Sequence, residues 1–262
     1  MRSSASGFEF SASDLARHGA CRHLTALDLC VAKSLRAAPE FHDPAVDILA
    51  QRGFEHERRY VDGLKAQGLK VVDLSAATSG GSTEDALAAT LDALRSGADV
   101  VVQPTLRHER WFGRPDVLRR VDSLPSNLGA WSYEVVDTKL AEETRGATIL
   151  QLAVYSDLLG RLQGAVPQSF YVVTPNPIAP VETYRVEDYA AYFRLLRAKL
   201  ETATAGDPEA LLGSTYPEPV PHCDVCRWWS TCDKRRHDDD HLSLVAGITA
   251  RPECAAEASP LH

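Results

Sequence analysis

The stretch Tyr133-Glu-Val-Val-Asp137-Thr-Lys139 restricts this chain more than any other, because a strand-favouring run ends in an acid and a base. Aromatic and β-branched side chains suit the pleated, half-buried surface of a strand. Successive side chains alternate along a strand, so Asp137 and Lys139 share one face while Glu134 and Thr138 take the other. Upstream, Gly113-Arg-Pro-Asp116-Val-Leu supplies a second carboxylate at the head of another expected strand. Two carboxylates and an ammonium on one patch suit a hard divalent cation, and they set a positive charge beside a water or a phosphate oxygen. An isolated Asp-x-Lys is usually a surface ion pair at a strand end, so this reading depends on what surrounds it.

The chain has 262 residues, 44% of them hydrophobic, enough to bury a sizeable core in one large domain. A formal charge of −8 excludes a protein that grips nucleic acid through overall basicity, so such contact needs a local basic patch or a metal ion. Met1 to Phe10 lacks the apolar core of a signal peptide, and no apolar run reaches membrane-spanning length. A cytoplasmic setting without membrane contact follows as the expectation. Thiols stay reduced there, so the six cysteines read as metal or cluster ligands, or as buried residues, rather than a disulfide framework.

Ser11 to Leu15 has the side chains of a helix cap, and helical stretches are expected to carry Cys21 and, over Leu24–Leu35, Cys30. A long helix is predicted from Pro44 to about Gln67, with Leu49, Gly53, His56, Tyr60 and Leu64 on one face. His56 therefore points with the apolar residues, which by itself fits a satisfied core histidine. Strands are predicted at Lys70–Leu74, Asp99–Gln103, Arg107–Phe112, Asp116–Val121, Tyr133–Lys139 and Ser169–Thr174. Helices are predicted at Thr83–Arg95, Thr144–Leu162 and Val186–Thr204, with turns at Ser79–Ser82, Pro125–Gly129, Pro175–Pro177 and Pro217–Pro221. The order implies an α/β fold whose central mixed sheet is flanked by helices, with a helical N-terminal flank and a C-terminal cysteine cluster.

On the helix after the Asp-Thr-Lys strand, Gln151 and Tyr155 lie four apart and share a face turned toward the sheet edge of Asp137. Cys223-Asp-Val-Cys226 followed by Cys232 sets three thiols within ten positions. A tetrahedral zinc or a cubane cluster needs a fourth ligand. His222 or His237 could complete a zinc site, while Cys21, Cys30 or Cys254 could complete either kind.

Taken in order, His56, the G-x-x-D ending at Asp116, Asp137-x-Lys139 and Gln151-x-x-x-Tyr155 resemble the motif series of RecB-like nucleases in the PD-(D/E)xK superfamily. A lone N-terminal cysteine joined to C-x2-C-x5-C resembles the iron–sulfur branch, which includes CRISPR-associated RecB-type exonucleases. The likeness spans about Phe10 to Cys232. It implies a restriction-endonuclease-like core and a metal-dependent deoxyribonuclease, expected to act as an exonuclease on single-stranded DNA ends in repair, recombination or CRISPR-like processing. His56, Asp116, Asp137 and the Thr138 carbonyl would bind Mg²⁺ or Mn²⁺. Asp116, Asp137 and Lys139 would be catalytic, and Gln151, Tyr155 and Arg145 would hold DNA. Cys21, Cys223, Cys226 and Cys232 would bind a [4Fe–4S] cluster, leaving Cys30 and Cys254 without a role. The expected domain covers residues 1–236, and residues 237–262 form a tail that looks like the truncated start of a further domain. Larger relatives often continue into a helicase, so a helicase or another DNA-processing protein is a candidate partner. The rival readings are a catalytically silent nucleic-acid-binding or scaffold module, and a zinc-stapled protein whose carboxylates are ordinary surface groups.

Overall fold

A computed structural model describes residues 1–4, 7–40, 44–76 and 81–245. Its centre is a six-stranded mixed sheet in the order β10-β9-β8-β7-β4-β3. These strands are β3 (Val71–Asp73), β4 (Val100–Val102), β7 (Val117–Val121), β8 (Ser132–Thr138), β9 (Ser169–Val173) and β10 (Val181–Arg185). β8 runs antiparallel to β7 and parallel to β9, with Asp137 opposite Val172 and Thr138 opposite Val173.

Alternation along the strands splits the core into two layers. Leu118, Tyr133, Val135, Phe170 and Val172 face one layer, while Val102, Val117, Val136 and Val173 face the other. The first layer is covered by α1 (Ala12–Ala20), α4 (Thr83–Arg95), α5 (Gly146–Gln163) and α6 (Val186–Ala205). The second is covered by α3 (Pro44–Ala66), through Val61 and Leu64. Each fully buried leucine or phenylalanine contributes about 1.5–3 kcal/mol to this packing. The Asp137 face is thus the α5 face, and the Thr138 face is the α3 face.

Local chemistry starts and stops the helices. Ser11 with Asp14, and Ser82 with Asp85, form reciprocal capping boxes at α1 and α4. Gly164 ends α5 at φ 68°, where a Cβ would collide with Asn127. Cys21 is not within a helix as predicted. It is the joint between α1 and α2 (Arg22–Ala32), where its Sγ accepts the Leu24 amide at 3.4 Å.

Three further features depart from the sequence reading. The predicted strand Arg107–Phe112 is a hairpin of β5 (Leu106–His108) and β6 (Trp111–Gly113), turned by Glu109 at φ 51°. That hairpin joins β1 (Arg2–Ser4) and β2 (Gly7–Ser11) in a separate sheet, order β1-β2-β6-β5. β10 was not predicted, and α7 (Pro208–Gly213) and α8 (Trp229–Asp238) add short helices before and after the cysteine region. Among the described residues no helix is long and apolar enough to cross a membrane. Cys254 and the Ser79–Gly80 part of the predicted turn fall outside the described residues.

Candidate active site

The C-terminal end of β8 carries a carboxylate that water does not reach. Asp137 is 0% exposed, and neither of its oxygens has a hydrogen-bond partner. Lys139, one residue beyond the strand, brings Nζ to 2.5 Å from Asp137 Oδ2. That ion pair is close but off the line of a directed hydrogen bond, so it satisfies charge without satisfying the lone pairs. Burial, and then the neighbouring charge of Asp116, push the Asp137 carboxyl up to about 7, while Lys139 pulls it back.

Asp116 is fixed from both sides. Its Oδ2 accepts the Thr138 amide at 2.8 Å and the Thr138 hydroxyl at 2.9 Å. Its carbonyl accepts the Gln103 amide at 2.8 Å. Gln103 adopts φ 51°, a left-handed conformation that costs a glutamine energy. It turns its Nε2 onto Glu57 Oε1 at 2.6 Å. Burial raises the Glu57 carboxyl, the Gln103 hydrogen bond lowers it, and the Asp116 and Asp73 charges raise it further.

Sequence reading missed Glu57 and Gln103. Glu57 adjoins His56 on a helix rich in exposed charges, and only its distant partner Gln103 marks it out. Both line a cleft of about 840 Å³, together with Asp73, Arg58 and Arg114.

His56 reaches the same end of the sheet from α3. Its Nε2 lies 3.2 Å from the Val173 carbonyl, which also accepts the Lys139 amide at 2.9 Å. A donating Nε2 leaves Nδ1 as the nitrogen with a free lone pair, the usual arrangement for a metal-binding histidine. On α5, Gln151 Nε2 donates to the Tyr155 hydroxyl at 3.0 Å. Tyr155 is buried, and burial raises its phenol strongly, with Asp137 and Asp116 adding to the shift. Its ring lies against Gly113, where a Cβ would come within 2.7 Å of it. Tyr155 is therefore a buried brace rather than an open contact surface, whereas Arg145 is exposed at the head of α5.

In a separate cluster, Cys21, Cys226 and Cys232 pack with Leu24, Leu27 and the buried Trp228. The charge of Cys223 reaches all three thiols. Burial and then the other thiols push Cys232 up to about 11. Asp28 ties the two segments together, accepting from Trp228 Nε1 at 3.2 Å and pairing with Arg227 at 2.5 Å. Cys30 lies apart, its Sγ 3.8 Å from the Pro208 carbonyl. Trp229 is exposed.

Among the described residues, no three His, Cys, Asp or Glu side chains are gathered as ligands round one point, at either place. Asp116 and Asp137 adjoin, and His56 does not complete a three-ligand group with them. Two carboxylates still fit Mg²⁺ or Mn²⁺, which commonly take one or two acidic side chains and fill the rest of their shell with waters and phosphate oxygens. The orphaned oxygens of buried Asp137 are the observation that such a cation would answer.

No curated protein matches the chain. A sequence model of the PD-(D/E)XK nuclease superfamily matches residues 37–233, which contain His56, Glu57, Gln103, Asp116, Asp137, Lys139, Gln151 and Tyr155.

Proposed function

Since the chain belongs to the PD-(D/E)XK nuclease superfamily, we propose that it is a metal-dependent deoxyribonuclease of the RecB-like type, cutting phosphodiester bonds from single-stranded DNA ends. The observation that carries this reading is the wholly buried carboxylate of Asp137, ion-paired with Lys139 but without a hydrogen-bond partner, beside Asp116. Asp116 and Asp137, with the Thr138 carbonyl and His56 Nδ1, would hold Mg²⁺ or Mn²⁺. A bound divalent cation lowers the pKa of water and neutralises charge gathering on a phosphate.

The chain's own residues do the rest. Lys139, ion-paired with Asp137 at 2.5 Å, would set a positive charge beside the attacked phosphate. Thr138 and Gln103 hold Asp116 at its hydrogen-bond distances, which keeps the carboxylate pair in register. Tyr155, buttressed by Gln151, closes the α5 side of the site against water. Arg145 and Gln151 present donors for the DNA backbone on the open side.

The four thiols of Cys21, Cys223, Cys226 and Cys232 suit a [4Fe–4S] cluster. Half-buried thiols such as these give up their protons to bind iron as thiolates. In that reading residues 1–236 form one nuclease domain, cytoplasmic and clasped by the cluster, working in DNA repair, recombination or CRISPR-like processing beside a helicase or similar partner.

End-labelled single- and double-stranded DNA, digested with Mg²⁺ or Mn²⁺ and then with EDTA, tests the proposal. Wild type should shorten the labelled strand only with the metal, and Asp137→Asn should leave it intact. Equal cutting by both proteins would refute the assignment.

A further inference from the structure

A second cleft, of about 400 Å³, lies far from the carboxylates in sequence, between α1, the start of α2, α6 and the end of α7. It is lined by the apolar Leu195, Ala198 and Leu211 and by the cations Arg22 and Lys199. Among the described residues neither cation makes a hydrogen bond or an ion pair. In a chain with a formal charge of −8, two unpaired cations on one cleft are a local reversal of sign. His18 lines the same cleft and is buried, with Nδ1 3.0 Å from the Thr25 hydroxyl. Arg22 and Lys199 line the cleft together with this ring.

The surface continues past the rim. Tyr192, Leu195 and Lys199 are three and four residues apart, so they share one face of α6. Tyr192 is 56% exposed and Leu195 is 52% exposed, an aromatic and an aliphatic side chain left open beside the cations. An exposed ring next to backbone-reaching cations is the arrangement on which single strands stack and track. The cleft also adjoins the helix that serves the carboxylates. A Cβ on Gly19 would meet Leu196 of α6 at 3.0 Å and Leu150 of α5 at 3.7 Å, and Leu150 directly precedes Gln151.

We propose that this cleft is a second contact site for single-stranded nucleic acid, taking a backbone phosphate on Arg22 and Lys199 and a base against Tyr192 and Leu195. The proposal deepens the nuclease reading and rests on it, because the strand held here would be the one led along α5 to the carboxylates. The shared chemistry is a phosphate joined to a flat base, which a free nucleotide also offers, so the test separates the two sources.

Binding of a fluorescein-labelled single-stranded oligonucleotide to the full chain is read by anisotropy in EDTA, so cutting plays no part. The double variant Arg22→Ala, Lys199→Ala should bind about tenfold more weakly, with its log–log salt slope reduced by about 0.7 for the one lost phosphate contact on a single strand. Tyr192→Ala should weaken binding about tenfold at unchanged salt slope. Tyr192 and Lys199 are exposed, so thermal melting of these variants should match wild type and exclude misfolding. Wild-type affinity and slope in the variants would overturn the proposal. Displacement of the probe by a deoxynucleoside monophosphate at the concentration that an unlabelled oligonucleotide needs would also overturn it, assigning the cleft to a free nucleotide. A wild type that binds in this variant-sensitive way but never cuts DNA would sustain the cleft assignment and count against the nuclease reading alone.

Discussion

His56 and Lys139 meet on one backbone oxygen, the Val173 carbonyl, with the imidazole Nε2 at 3.2 Å and the Lys139 amide at 2.9 Å. The carbonyl fixes the histidine tautomer, with its proton on Nε2 and its lone pair on Nδ1. His56→Ala should therefore raise the Mg²⁺ or Mn²⁺ concentration needed for half-maximal cutting by about 10- to 100-fold. A metal titration of cutting rate checks this, and an unchanged midpoint would remove His56 from the site.

Asp137 makes the metal-free protein sensitive to pH, and the sign follows from its raised pKa. Between the ordinary carboxylate value of 3.8 and about 7, the folded protein keeps a proton on Asp137 that the unfolded chain has lost. Stability in EDTA should accordingly fall as pH rises from about 4 through 7. Asp137→Asn should abolish the decline and be more stable than wild type at pH 8 by a few kcal/mol, on the order of the raised pKa. Urea melts in EDTA at several pH values measure both effects. A wild type whose stability rises over that window would contradict them.

His18 acts in the opposite sense. Burial, with Arg22 and Lys199 nearby, brings its pKa from 6.5 down to about 4, so it is neutral when folded and readily charged when unfolded. Its contribution is fully present above about pH 6.5 and is lost as pH falls toward 4. His18→Gln should flatten the acid limb of the stability curve while lowering stability at neutral pH, since the Thr25 contact weakens.

Gly113 has no room for a side chain. A Cβ there would press to 2.7 Å from the Tyr155 ring, so Gly113→Ala should cost about 1–3 kcal/mol and shift Tyr155 away from the carboxylates. Thermal melting and cutting rate should fall together. A variant that melts like wild type would show that the ring yields easily.

Among the described residues the thiols divide into four and one. Serine at Cys21, Cys223, Cys226 or Cys232 should each lower iron and acid-labile sulfide in anaerobic preparations, while Cys30→Ser should keep both. Zinc in place of iron throughout would favour the stapled alternative.

Much of this molecule could be read from its residues, for reasons visible in particular elements. α4 begins and ends where Ser82, Asp85 and Arg95 say it should, because capping chemistry is local. β8 was legible because its β-branched run is buried on both faces. The family match over residues 37–233 supports the broad assignment drawn from the ordered motifs. The hairpin at Leu106–Gly113 was hidden because Glu109 takes a left-handed turn usually given to glycine or asparagine. β10 was hidden because an edge strand with alternating, half-exposed residues leaves a weak signal. Glu57 could not be picked out from Glu55 by pattern, since what distinguishes it is a glutamine 46 positions away. Tyr155, expected to hold DNA, is instead enclosed by the packing of α5 on β6.

The division of the core into two layers carries a consequence for any attempt to engineer this protein. Asp137 is set by the packing of α5 against one face of the sheet, and His56 by the packing of α3 against the other. A repacked Val136 or Leu64 would slide one half of the reaction centre past the other without touching any polar group. Catalytic rate should thus act as a gauge of interior fit, registering displacements too small for a melting curve to detect.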